Sequence, residues 1–195
     1  MVITLLNQKG GVGKSTVAYL VACALKAAQV DVAIRDGDPQ GTLTSAVRRL
    51  GEVPLVSEHA AAIIIQDTPG HLDMQNRASR EMTENAIRLS DRIVIVSEMS
   101  LQCIEASATT ATFLKSCLTP TATAKVLWNK VRVTTGTGQQ DKSALANAIG
   151  LPGMLNWLPL ASCYEDAMSI GYAKALGDRA KQRRLIEALA LEILA

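Results

Sequence analysis

Residues 8–16 read QKGGVGKST. Gly10, Gly11 and Gly13 let the backbone turn tightly and point its N–H groups at one place, the requirement for gripping phosphate oxygens. The stretch before it, VITLLN (2–7), is an apolar run fit for a buried strand, and the stretch after it, STVAYLVACALKAAQ (15–29), is an Ala-rich helix. Strand, glycine loop and helix in that order form the context in which such a match becomes credible, because the helix N-terminus adds a favourable dipole. In this arrangement the backbone of Gly10, Gly11, Val12 and Gly13 cradles phosphate. Lys14 reaches the β- and γ-phosphates, Ser15 offers its hydroxyl to Mg²⁺, and Thr16 meets the α-phosphate. Two features exceed these needs: Gln8 stands where such loops carry their first glycine, and Lys9 is a second lysine.

Working outward, further apolar runs lie at VDVAIRD (30–36), AAIIIQD (61–67), RIVIVSE (92–98), KVLWNKV (125–131) and MLNWLPL (154–160). Helical segments fall between them at 42–50, 75–90, 103–118 and 141–150, and a last helix spans 180–195. TTGTGQQ (134–140) is a loop. Strands that are continuous apolar runs alternating with helices predict an α/β fold with a mostly parallel sheet flanked by helices on both faces. With no repeat or long linker, residues 1–195 are expected to form a single domain.

Three carboxylates end strands, and ligands gather at the carboxyl ends of parallel strands. Asp67 closes AIIIQD and suits a water-mediated contact to Mg²⁺. In DGDPQG (36–41), Asp36 is assigned to the outer metal shell and Asp38 to orienting an attacking water.

The 195 residues are 48% apolar, with one Phe, two Trp and three Tyr, so the core must be aliphatic. The net charge of +2 is too small to imply nucleic acid by itself. Cys23, Cys103, Cys117 and Cys163 are widely spaced without a CxxC, which speaks against zinc or redox chemistry. The start MVITLLNQ lacks a basic region, and no apolar run reaches about 18 residues. The expectation is a cytoplasmic protein without a membrane partner.

KGGVGKST, DGDPQG and DTPG, in that order at three strand ends, together resemble the deviant Walker A ATPases of the ParA/MinD family. The resemblance implies a role for Lys9: reaching across a dimer interface to ATP held by the partner subunit, with Lys14 and Asp38 completing the catalytic set. It implies adenine recognition by Asn129 and by backbone around Pro159, although Lys130 stands where the family usually has Arg. It implies ATP and Mg²⁺ as cofactors, an ATP-dependent homodimer, slow intrinsic hydrolysis and a ParB-like or other adaptor that stimulates it.

Among the family's branches the chain is most similar to small ParA-type partition proteins, which bind nonspecific DNA as the ATP dimer and so associate with the nucleoid. Lys174, Arg179, Lys181, Arg183 and Arg184 form a local basic cluster suited to DNA, with Arg77, Arg80, Arg88 and Arg92 as alternatives. No helix-turn-helix domain fits before Val2, so operator-specific repression is not expected. A MinD-like membrane ATPase is the rival reading. It turns on the C-terminal helix, whose Leu185, Leu189 and Ile193 recur four apart; this stripe is expected to dock on the sheet. A nucleotide-gated scaffold without turnover is the third reading.

Overall fold

The apolar runs pair side by side in one parallel sheet. The computed structural model describes residues 1–70 and 76–195. Its elements are β1 (Val2–Leu6), α1 (Lys14–Ala27), β2 (Val32–Asp36), α2 (Thr42–Leu50), β3 (Ile63–Asp67), α3 (Arg77–Arg88), β4 (Arg92–Ser97), α4 (Leu101–Cys117), β5 (Thr123–Trp128), α5 (Lys142–Ile149), α6 (Ser162–Ile170), α7 (Tyr172–Leu176) and α8 (Ala180–Leu194). A short 3₁₀ turn, Thr137–Gln139, lies in the loop predicted at 134–140. Gln75, read from sequence as the start of a helix, lies outside the described residues.

Strand order is β2-β3-β1-β4-β5, every pair parallel. The chain runs from the central β1 to β2, returns through β3, then builds outward through β4 and β5 on the other side. This reversal at β1 leaves a crevice at the strands' carboxyl ends, where ligands bind in open α/β sheets.

Alternation along each strand splits the core into two layers. Ile3, Leu5, Ile34, Ile65, Val94, Val96 and Leu127 face α1, α6 and α8. Leu6, Ile93, Ile95, Val126 and Trp128 face α3, α4 and α5. Helix α1 is buried without interruption from Val17 to Leu25, which explains its Ala-rich, weakly amphipathic sequence. All four cysteines are free and buried.

Helix α8 docks as expected: Ile186, Leu189, Ala190 and Ile193 are buried in the first layer. No helix among the described residues is long and apolar enough to cross a membrane.

Two sequence expectations are corrected. Residues 154–160 are not a sixth strand; they make one isolated bridge, Val131 with Pro159, and another, Val126 with Gly153, lies just before them. The ladder fails because the N–H groups of Leu155 and Asn156 donate instead to the Glu192 carboxylate of α8, at 2.7 and 2.8 Å. Helices α6 and α7, unread in the sequence, are separated at Gly171, whose φ of 98° ends the first and starts the second.

Candidate functional site

The glycine loop closes the gap between β1 and α1. Gly11 and Gly13 take φ of 81° and 91°, left-handed values that favour glycine. Helix α1 has no side-chain cap, so its first N–H groups are left without partners. From Gly10 through Thr16 no backbone N–H finds an acceptor among the described residues. Such a concavity of oriented N–H groups requires an anion or water, and fits phosphate.

Gln8 explains the missing first glycine. Its side-chain Nε2 donates to the Ala106 carbonyl of α4 at 3.2 Å, and its N–H donates to Thr110 Oγ1 at 3.2 Å. The residue anchors the loop to α4 rather than lining the phosphate cradle. Asn7, which sequence reasoning missed, does the rest. Its buried amide donates to the Val96 carbonyl and Ser107 Oγ and accepts the Lys9 N–H at 3.0 Å. A lone Asn ending an apolar strand was the available signal. Lys9 thus has a fixed backbone and an exposed side chain, whose ammonium has no ion-pair partner among the described residues.

Lys14 is buried, and burial lowers its pKa, opposed by the charges of Asp67 and Asp38. Ser15 Oγ donates to Asp67 Oδ2 at 2.5 Å, and the Thr68 N–H donates to Asp67 Oδ1 at 2.9 Å. Burial pushes the Asp67 carboxyl up to about 6; the Ser15 hydrogen bond and the Lys14 charge pull the other way. A hydroxyl and a carboxylate in contact beside the phosphate cradle are a donor set fit for Mg²⁺.

Asp36 and Asp38 divide their work. Asp36 Oδ2 accepts the N–H and hydroxyl of Thr44, at 2.7 and 2.9 Å, while Oδ1 accepts the Asp38 N–H at 3.0 Å. Its carboxylate therefore fixes the turn to the start of α2, and Thr44 is a positioning residue the sequence did not reveal. Asp38 accepts from the N–H groups of Gln40 and Gly70, both at 3.0 Å, bridging the second and third motifs. Gly37 makes that bridge possible: a Cβ there would lie 2.7 Å from the Asp67 carbonyl.

Asn129 is buried, and its Nδ2 donates to the Val12 carbonyl at 2.8 Å, bracing the loop. Its Oδ1 has no donor among the described residues. Asn129 and Pro159 line one cleft with Thr16, but the cleft holds only about 20 Å³, room for about one water. Lys130 closes it: Nζ donates to the Gly11 carbonyl at 3.1 Å and pairs with Glu165 at 3.4 Å.

Thus Lys9, Lys14, Ser15, Thr16, Asp36, Asp38, Asp67 and Asn129 converge on one crevice. Lys174, Arg179, Lys181, Arg183 and Arg184 lie elsewhere, exposed on α7, the turn after it and α8; Arg183 pairs with Glu187 at 3.7 Å. Of the alternative cations, Arg77 and Arg80 are paired with Glu81 and Glu84 along α3.

A parallel sheet with an N–H cradle at its topological switch point defines a P-loop nucleotide-binding domain. The chain belongs to the CobQ/CobB/MinD/ParA nucleotide binding domain family, whose model matches residues 3–191. An uncharacterized protein of Methanocaldococcus jannaschii is 26% identical over 106 residues; the match covers 54% of this chain and 38% of that protein. Among solved structures, the MinD cell division protein of Aquifex aeolicus superposes with a TM-score of 0.75 at 16% identity, covering 99% of this chain and 96% of that one. A putative plasmid partition protein of Borrelia burgdorferi B31, bound to AMPPNP, gives 0.68 at 15% identity, covering 98% of each chain.

Proposed function

We propose that this chain is an ATP-dependent partition or positioning ATPase. It binds Mg·ATP, dimerises, and as a dimer binds DNA without sequence preference until an adaptor protein stimulates hydrolysis. The observation that carries this reading is Lys9: an unpaired ammonium on a pinned backbone, exposed beside a phosphate cradle that already has Lys14. A cation in that position serves a phosphate outside its own loop, and the nearest source in a symmetric pair is the twin's nucleotide. Occurrence of an ATP analogue in a partition protein of the same fold supports the choice of ligand.

In the proposed cycle the N–H groups of residues 10–16 hold the phosphates and Lys14 offsets charge on the transferred group. Ser15 and Asp67 would hold Mg²⁺, which would supply neutralisation of phosphate oxygens. Asp38 orients the attacking water and is held for that task by Gln40 and Gly70. Asn129 offers its free Oδ1 to the amino group of adenine. The exposed cations of α7 and α8 take DNA phosphates. Membrane attachment through α8 has less support, because its apolar stripe is committed to the core.

The test is multi-angle light scattering with Mg·ATP, paired with nucleotide binding. Wild type should move from a monomer of 20.7 kDa to twice that mass. Lys9→Ala should bind nucleotide and remain monomeric. Equal masses for the two proteins would refute the trans role of Lys9.

A further inference from the structure

The two faces of the sheet are not equally sealed. On the α1 side hydrocarbon runs from β2 to β5. On the α3–α4 side the sheet's contribution to the core is Leu6, Ile93, Ile95, Val126 and Trp128, and β2 and β3 add only the small Ala33 and the half-buried Ile64. What these two strands turn to that face near their carboxyl ends is Arg35 and Gln66, cross-strand partners in register. Parallel strands covered on both faces are apolar nearly throughout. A cation and an amide here floor an opening instead.

That opening is a groove of about 230 Å³ between the strands and α3, walled by Pro69, Met82, Ala86 and Leu89. Met82 is 49% exposed and Leu89 64%. Arg35 Nη1 donates to Gln66 Oε1 at 3.0 Å. Among the described residues the guanidinium has no carboxylate partner, and Gln66 Nε2 has no acceptor. Asp36 and Asp67, next in each strand, also border the groove, but their carboxylates are already engaged by Thr44, Ser15 and Thr68. The floor is therefore rich in unused donors, and the hydrocarbon of the walls is interrupted only by Thr83 and Asn85 of α3.

We infer that this groove docks a segment of a partner protein in which a carboxylate side chain lies beside an aliphatic one. The carboxylate meets Arg35, whose planar fork suits two-pronged recognition, and Gln66. The aliphatic side chain covers Met82 and Leu89. The volume fits a few side chains and falls below the usual range for a small-molecule site. Strand addition is not the mode, because the outer edge of β2 is already taken: Ile34 N–H donates to the Pro54 carbonyl and Val56 N–H to the Ile34 carbonyl, at 3.0 and 2.9 Å. Arg35 and Gln66 immediately precede Asp36 and Asp67, so a docked segment pulls on the strands that carry those carboxylates. That coupling rests on the proposed function; the docking does not, and its test needs no nucleotide.

A random peptide library displayed on phage is selected on the full chain, and enriched peptides are measured by fluorescence anisotropy. Enriched peptides should share Asp or Glu next to Leu, Ile, Val or Met. Arg35→Met and Leu89→Ser should each weaken them by about tenfold or more, with Lys26→Ala as a cation control that does not. Leu89 is exposed, so its variant keeps the test open if Arg35→Met lowers stability. Enrichment without such acid–aliphatic pairs, or binding indifferent to both groove variants, overturns the inference. So does Arg35-dependent sedimentation with phosphatidylserine vesicles, which would make the site one for lipid.

Discussion

The hydroxyl of Ser15, in the first turn of α1, lies 2.5 Å from Asp67 Oδ2 at the end of β3 and donates to it. This contact steadies a carboxylate that burial makes costly, since its pKa rises from 3.8 to about 6. The folded protein therefore holds this proton more tightly than the unfolded chain between those values. Asp67 lowers net stability as pH rises from about 4 to 6, and the loss is complete above that. Such a displacement corresponds to about 3 kcal/mol. Asp67→Asn should be more stable than wild type by about 1–3 kcal/mol at pH 8, with the gap closing near pH 4. Asn can keep both contacts: Oδ1 accepts from Thr68 while the Ser15 hydroxyl turns to accept from Nδ2. Urea unfolding at the two pH values measures the difference.

Gly37 is a second constraint, set by approach distance rather than by φ. Its N–H donates to the Asp67 carbonyl at 3.1 Å, and an added Cβ would sit 2.7 Å from that same oxygen. The obstructing atom is backbone, so the ends of β2 and β3 must separate. Gly37→Ala should cost about 1–3 kcal/mol, the usual price of overpacking. It should also weaken binding of a fluorescent ATP analogue, because Asp38 and Gly70 move apart with the strands. Unchanged nucleotide affinity alongside lowered stability would show that the second motif does not set the site.

Away from the glycine loop, Glu52 anchors the middle of α1. Its carboxylate accepts from the Tyr19 hydroxyl and from the N–H groups of Tyr172 and Ala173, at 2.7 and 3.1 Å for the last two. Burial, then the Glu52 hydrogen bond, holds the Tyr19 hydroxyl well above its ordinary pKa. Glu52→Ala strands a buried phenol and the start of α7, and should cost about 2–3 kcal/mol. Glu52→Gln keeps an acceptor and should recover part of that. Equal losses in urea melts would locate the effect in lost charge instead of lost acceptors.

The five strands were legible because parallel strands are apolar runs whatever their neighbours do. The segment 154–160 looks the same locally, and only Glu192, 36 and 37 residues on from the N–H groups it accepts, diverts them. Helix α6 carried a weak start signal in Ser162 and Glu165, three apart, but Gly171 interrupts the α6–α7 stretch and leaves α7 only five residues. At the site, the loop and the three aspartates were readable because their spacing is local. The supports from Asn7, Thr44 and Gln8 were not, since each acts through a partner distant in sequence or through a backbone group. Asn129 was readable by position, yet its bond to the Val12 carbonyl is a tertiary fact.

The cations of α8 give the sharpest check on DNA binding. Lys181 and Arg184 are exposed and unpaired among the described residues, whereas Arg183 shares its charge with Glu187. Each phosphate contact contributes about 0.9 to the slope of log affinity against log salt concentration. Replacing both Lys181 and Arg184 by Gln should lower affinity for random-sequence duplex in the presence of ATP and reduce that slope by about 1.8. Arg183→Gln should have a smaller effect, because in the free protein its charge is already partly offset. Both proteins should still dimerise with Mg·ATP in light scattering, since neither change touches Lys9. A slope unchanged in the double variant would move the DNA surface off α8.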